Sequence, residues 1–142
     1  MIFELLVVFI AALSFSVIFN VSREELIFCG ICGLASQGIY MLAENLGYAS
    51  SFSVLCAVMA VSALSRILAN VRKTPVTAYL LAGIIPHVPG SGMYRTALYI
   101  IASEYARAMG VGIETIKTAA AIAIGIFLIF SLPNKIFFKF NK

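Results

Sequence analysis

Charge is scarce in this chain. Ten lysines and arginines and six acids make up 11% of its 142 residues, where an average soluble domain carries about 25%. With 62% hydrophobic residues and a mean hydropathy of +1.04, that scarcity excludes an ordinary soluble domain and points to an integral membrane protein. There is a single histidine, no paired set of carboxylates and no glycine-rich nucleotide loop. Hydrolytic catalysis by a serine-histidine-acid arrangement and ATP-driven transport within the chain are therefore not expected, and no cofactor is implied. Cysteine is also sparse. Cys29-Gly30-Ile31-Cys32 has the Cys-x-x-Cys spacing, but there is no second pair and His87 is far along the chain, so the pair reads as helix packing rather than a metal site. The net charge of +4 would suggest nucleic acid in a soluble protein. Here the basic residues sit in short loops and in the tail, where they act as topology signals in a lipid bilayer, and no nucleic-acid partner is expected.

Apolar windows of about 20 residues mark the crossings. They place spans at Ile2–Phe19, Leu26–Leu42, Ser51–Ala69, Val76 to about Met109, and Ile113–Leu132, with a turn at Gly110-Val111-Gly112. The expected fold is a single all-α transmembrane domain of five helices. Met1-Ile2-Phe3-Glu4 carries an acid where a cleavable signal carries positive charge, so the first span is expected to be retained.

The fourth span is interrupted inside its own hydrophobic stretch by Pro86-His87-Val88-Pro89-Gly90-Ser91-Gly92. Each proline lacks an amide donor and disfavours helix for the residue before it, and glycine tolerates angles closed to other residues. Irregular backbone at membrane depth survives only where protein buries it or water fills a cavity. From Val76 to Ile85 the rise is about 15 Å, half of a 30 Å hydrocarbon core, so the break is expected near the midplane, where secondary transporters place their sites. If the second half-helix starts near Ser91, the amides of Ser91, Gly92 and Met93 offer an anion site suited to a carboxylate, with the Ser91 hydroxyl as a possible cap.

Ile85-Pro86-His87-Val88-Pro89-Gly90-Ser91 followed by Tyr94, together with Phe19-Asn20-Val21 closing the first span, resembles the ThrE-type threonine/serine exporter family. The likeness extends over nearly the whole chain and is to the small subunit, or C-terminal half, of a transporter built from two dissimilar membrane halves. It implies export of threonine and serine, or of dicarboxylates such as succinate, in company with a larger membrane subunit. Two positions depart from the family pattern: Ser22 stands where a proline is common, and Gln37 where span two often has a histidine.

The candidate substrate-binding residues are thus Pro86, His87, Pro89, Gly90, Ser91, Gly92, Tyr94 and Arg95 at the break, with Gln37 and Asn20 from earlier spans. Arg95 has the planar fork that suits a carboxylate, and equally can pair with a partner's acid or snorkel outward. His87 is either a titrating group or a structural hydrogen-bonding one. Gln37 must face inward to be satisfied in lipid. Arg66 is expected to snorkel to headgroups. Glu104 with Arg107, and Glu114 with Lys117, have the spacing of surface ion pairs. Ala119-x-x-x-Ala123 and Ala121-x-x-x-Gly125 have the small-residue spacing of helix interfaces, with self or with a partner. Two function classes follow: a carrier subunit that binds a small carboxylate at the break, or a structural or channel-forming assembly protein.

With the N-terminus outside a plasma membrane, Arg23, Arg66, Arg72, Lys73, Lys135, Lys139 and Lys142 lie inside, and only Arg107 and Lys117 outside. A reporter fused after Lys142 is accordingly expected to be active only in the cytoplasm, and activity on the opposite side would refute five crossings.

Overall fold

The computed structural model describes residues 2–133, so the tail lysines Lys135, Lys139 and Lys142 lie outside the described residues. Those described are all helical or connecting. They form α1 (Ile2–Ile18), α2 (Leu26–Asn45), α3 (Ser50–Arg72), α4 (Val76–Ile84), a single 3-10 turn (Ile85–His87), α5 (Gly90–Ile101) and α6 (Tyr105–Ser131). Three of these, α2, α3 and α6, are long and apolar enough to cross a membrane, while α1 and α4 with its 3-10 turn are shorter apolar helices.

Four helix ends close in the same way. Asn20, Gly47, Lys73 and Ser103 take positive φ. The next amide in each case reaches back five residues: Val21 to Ser16 O, Tyr48 to Ala43 O, Thr74 to Ala69 O and Glu104 to Tyr99 O, at 2.8–3.3 Å. These are Schellman closures, which satisfy carbonyls that would otherwise be orphaned. The last of them corrects the expected turn at Gly110-Val111-Gly112. The chain reverses at Ala102–Glu104 instead, and both glycines lie inside α6. Helix-interior glycine costs about 1 kcal/mol, but Gly112 lies against Thr96 of α5, 3.4 Å from where a Cβ would sit, so it serves the packing of that hairpin.

Contacts give the running directions. Cys29 faces Ala78, Gly33 faces Ala82, and Ser36 faces His87, so α2 and α4 are parallel. Gly83 packs on Val61, and Glu25 links Tyr79 to Arg72, so α4 is antiparallel to α3. Gly125 packs on Val58, and Arg66 reaches Ile129, which makes α3 and α6 parallel; Gly92 on Thr115 and Thr96 on Gly112 make α5 and α6 antiparallel. The half-helices α4 and α5 therefore run in the same sense, but in different company. Helix α4 packs among α1, α2 and α3, whereas α5 packs on α6 and buries none of its residues.

The core is built from small side chains: Ala12, Cys29, Cys32, Val54, Val58, Val61, Ala82 and Ala121, with Tyr79 fully enclosed. Ala121 and Gly125 face α3, whereas Ala119 and Ala123 are exposed, so only one of the two small-residue motifs is used within the chain. Arg66 is also corrected. It is buried and donates to Ile129 O (2.5 Å) and Leu132 O (3.1 Å), placing a cation on the carbonyl end of α6 rather than at headgroups. The two surface pairs form, at 2.6 Å for Arg107 with Glu104 and 2.7 Å for Lys117 with Glu114.

A methyl group at Gly83 would overlap the Val61 side chain. Gly83→Ala is expected to destabilise the purified protein by about 1–3 kcal/mol, seen as a lower thermal unfolding midpoint, and Val61→Ala should restore part of the loss.

Candidate functional site

The interruption is short and internally bonded. Helix α4 ends at Ile84, the turn through Pro86 closes with Val88 N donating to Ile85 O (3.2 Å), and Pro89 takes the cap position of α5. Helix α5 starts at Gly90, one residue before the expected start, and Met93 N already donates to Pro89 O (3.0 Å) while Gly90 N meets Val88 O (2.8 Å). Of the three amides expected to form an anion site, those of Ser91 and Gly92 are unspent among the described residues, and that of Met93 is not. The Ser91 hydroxyl makes no cap; it is exposed.

His87 turns into the bundle. It is 6% exposed, its Nε2 lies 2.7 Å from Ser36 Oγ on α2, and its ring tilts against Tyr40 with centroids 5.4 Å apart. The tautomer decides which atom of the His87–Ser36 contact donates. Tyr40 then donates to Glu44 (3.1 Å) and meets Ser50 (3.2 Å), so a polar line leads from the break to the far end of α2. Ser36 lies about 15 Å along α2 from Leu26, half the depth of a 30 Å core.

The other expected site residues spread out. Gln37, half-buried beside Ser36, makes no side-chain hydrogen bond among the described residues. Tyr94 and Arg95 on α5 are exposed, and Arg95 has no ion pair or hydrogen bond among the described residues. Asn20 is at the opposite end of α4 from the break, about 13 Å away along that helix. It lines a cavity of about 300 Å³ with Phe19, Ser22, Thr74, Thr77 and Leu81.

Two features were not anticipated from the sequence. One is Ser36 itself, which the spacing could have revealed: Cys29, Cys32 and Ser36 follow the i, i+3, i+7 rhythm of a packed face, and Gln37 is one step off it. The other is Glu25, buried at the start of α2. Arg72 Nε and Nη2 grip its carboxylate at 2.9–3.1 Å, and Tyr79 donates to its other edge. The Arg72 hydrogen bonds, joined by that from Tyr79, hold the Glu25 carboxyl below the usual carboxylate range despite its burial. The hint was a Glu24-Glu25 pair opening one span and Arg72-Lys73 closing the next at the same end.

A helical bundle of apolar spans, with an interrupted helix whose buried polar groups meet a neighbouring helix, belongs to the class of polytopic membrane proteins. Residues 4–132 match the family model described as threonine/serine exporter, ThrE, and the chain is a member of that transporter family. No curated protein and no solved structure matches it.

The glycines of the break divide. A side chain at Gly90 meets open space, and its φ is not positive, whereas one at Gly92 would overlap Thr115 of α6. Gly92→Val is expected to destabilise the α5–α6 hairpin by about 1–3 kcal/mol, with Gly90→Val within about 0.5 kcal/mol of the parent, both read from thermal unfolding.

Proposed function

We propose that this chain is one membrane subunit of a secondary exporter of small carboxylates, threonine and serine or dicarboxylates such as succinate, and that the interruption between α4 and α5 is its substrate site. The observation that carries this reading is the buried His87–Ser36 pair, set at the break and about halfway along α2, in a member of an exporter family. Polar groups buried at that depth mark substrate pathways in membrane proteins. The free amides of Ser91 and Gly92 at the start of α5 suit a carboxylate, and Arg95 is at hand one turn on as a planar clamp.

The common direction of α4 and α5 supports their acting as one broken crossing, which with α1, α2, α3 and α6 makes five and puts the tail in the cytoplasm. The exposed α5, packed on α6 and burying none of its residues, supports a companion that closes the site. In this reading that companion is a second, dissimilar membrane subunit, with self-association as the fallback. Half-transporters build their sites at mutual interfaces.

Inverted vesicles holding the chain with its companion are expected to take up labelled threonine or serine saturably and against a gradient. The chain reconstituted alone should give no saturable flux. Ser36→Ala and His87→Ala should each lower flux about tenfold, the scale of one lost buried hydrogen bond in the loaded state. A non-saturable leak would instead indicate a channel-forming protein, and full export by both variants would move the substrate away from the His87 face of the break.

A further inference from the structure

Glu25, Arg72 and Tyr79 join three helices through a single carboxylate. Glu25 precedes the first residue of α2, Arg72 ends α3, and Tyr79 is in the first turn of α4. The Arg72 guanidinium lies 4.5 Å from the Phe28 ring centroid, which stacks it in place. The pair is lopsided, with the Arg72 side chain 34% exposed and that of Glu25 6%. A cavity of about 300 Å³ lies close by: none of the three residues lines it, but its wall includes Thr74, whose Oγ1 donates to Arg72 O (3.2 Å), and Ala78 next to Tyr79. Cys29 is fully buried one turn along α2 from Glu25, with its Sγ on Ala78 O at 3.6 Å. Beyond it, Cys32, Ser62 and Ser65 are also fully buried, and the hydroxyls of both serines have no hydrogen-bond partner among the described residues. Ser36 and His87 follow. A line of small buried polar side chains on α2 and α3 thus runs between the ion pair and the break.

We propose that Glu25, Arg72 and Tyr79 form the inner gate of the transport path, and that Arg72 with Glu25 is a binding site for a zwitterionic amino acid arriving from the cavity. The inference rests on the exporter reading and narrows its substrate. Opening the pair without replacement would strand a buried carboxylate, which is strongly unfavourable. A zwitterion removes that obstacle: its carboxylate takes the planar fork of Arg72, and its ammonium takes Glu25, which keeps its bond from Tyr79. A dicarboxylate brings a second anion towards Glu25 and is rejected. The cavity volume is at the small end of the range for small-molecule sites, in keeping with a serine- or threonine-sized guest.

Cys29 is a built-in reporter for the gate. The chain in lipid nanodiscs is treated with N-ethylmaleimide and the alkylation of Cys29 is followed by mass spectrometry, with the half-buried Cys56 of α3 as reference. Saturating serine should raise the Cys29 rate about tenfold, a population shift towards the open form, and succinate should not. Arg72→Lys should abolish the serine response, and Glu25→Gln should give a fast Cys29 without serine. Glu25→Gln combined with Arg72→Gln removes both charges, guards against misfolding from one stranded ion, and should be open and unresponsive. A Cys29 that stays slow in both Gln variants, a missing response of the parent chain to serine, a response matched by succinate, or one retained by Arg72→Lys overturns the proposal. Transport is scored separately: export by vesicles whose Cys29 ignores serine sinks the gate alone, and a responsive Cys29 in vesicles without export sinks the carrier reading alone.

Discussion

In hydrocarbon a polar group without a partner costs several kcal/mol, and no water is at hand to make good the loss. Much of the stretch between α4 and α5 follows from that constraint. The prolines at 86 and 89 remove two amide donors from the chain, and the amides of Val88, Gly90 and Met93 are taken up by Ile85, Val88 and Pro89, which leaves those of Ser91 and Gly92 without a partner among the described residues. The one strongly polar side chain of the break, His87, is met by Ser36 and shielded by Tyr40. Helix α2 is thus the scaffold of the site, although none of its residues is interrupted. Arg66 obeys the same rule at the end of α6, where it collects carbonyls of Ile129 and Leu132.

Lipid tails are as apolar as the side chains they touch, so burial of apolar surface does little to hold such helices together and close packing must do it. The contacts bear this out in detail. Gly30 accepts the ring of Phe9, Gly33 lies against Ala12, Gly83 against Val61, and Gly125 against Val58. The α5–α6 hairpin uses the same device with threonine: Gly92 meets Thr115, and Gly112 meets Thr96, each hydroxyl turned back onto the carbonyl four residues earlier. The result is two packed units sharing α6. Its second half joins the α1–α4 bundle through α3, and its first half carries α5.

The ion pair and the stretch towards the break differ in physical character. The ion pair is charged, with one carboxylate held by a guanidinium and a phenol. The middle is neutral, made of serine hydroxyls, thiols and a histidine. In the proposed transport path, carboxylates and amino groups would pass between such environments as each partner lost is replaced by another.

The sequence by itself determined the membrane class, the helical fold, the place of the interruption and the family. Each of these depends on composition, on hydrophobic run length or on local proline and glycine chemistry, all of which are properties of neighbours in the chain. It also placed the helix end at Phe19-Asn20-Val21, because a left-handed asparagine is a local event. What lay between segments was decided by the tertiary structure. The reversal lies at Ser103 rather than at Gly110–Gly112, both of which are inside α6, where Gly112 packs against Thr96 of α5. Arg66 turned inward because α6 offered it carbonyls, and Ser36 rather than Gln37 met His87 because one step along a helix is a rotation of about 100°. Glu25, Arg72 and Tyr79 are separated by as many as 54 positions in the chain, and only the packing of three helices brings them to one point. Partners that distant leave no periodic trace in a single sequence, since pairing across helices depends on which faces meet, and that is settled by the whole bundle at once.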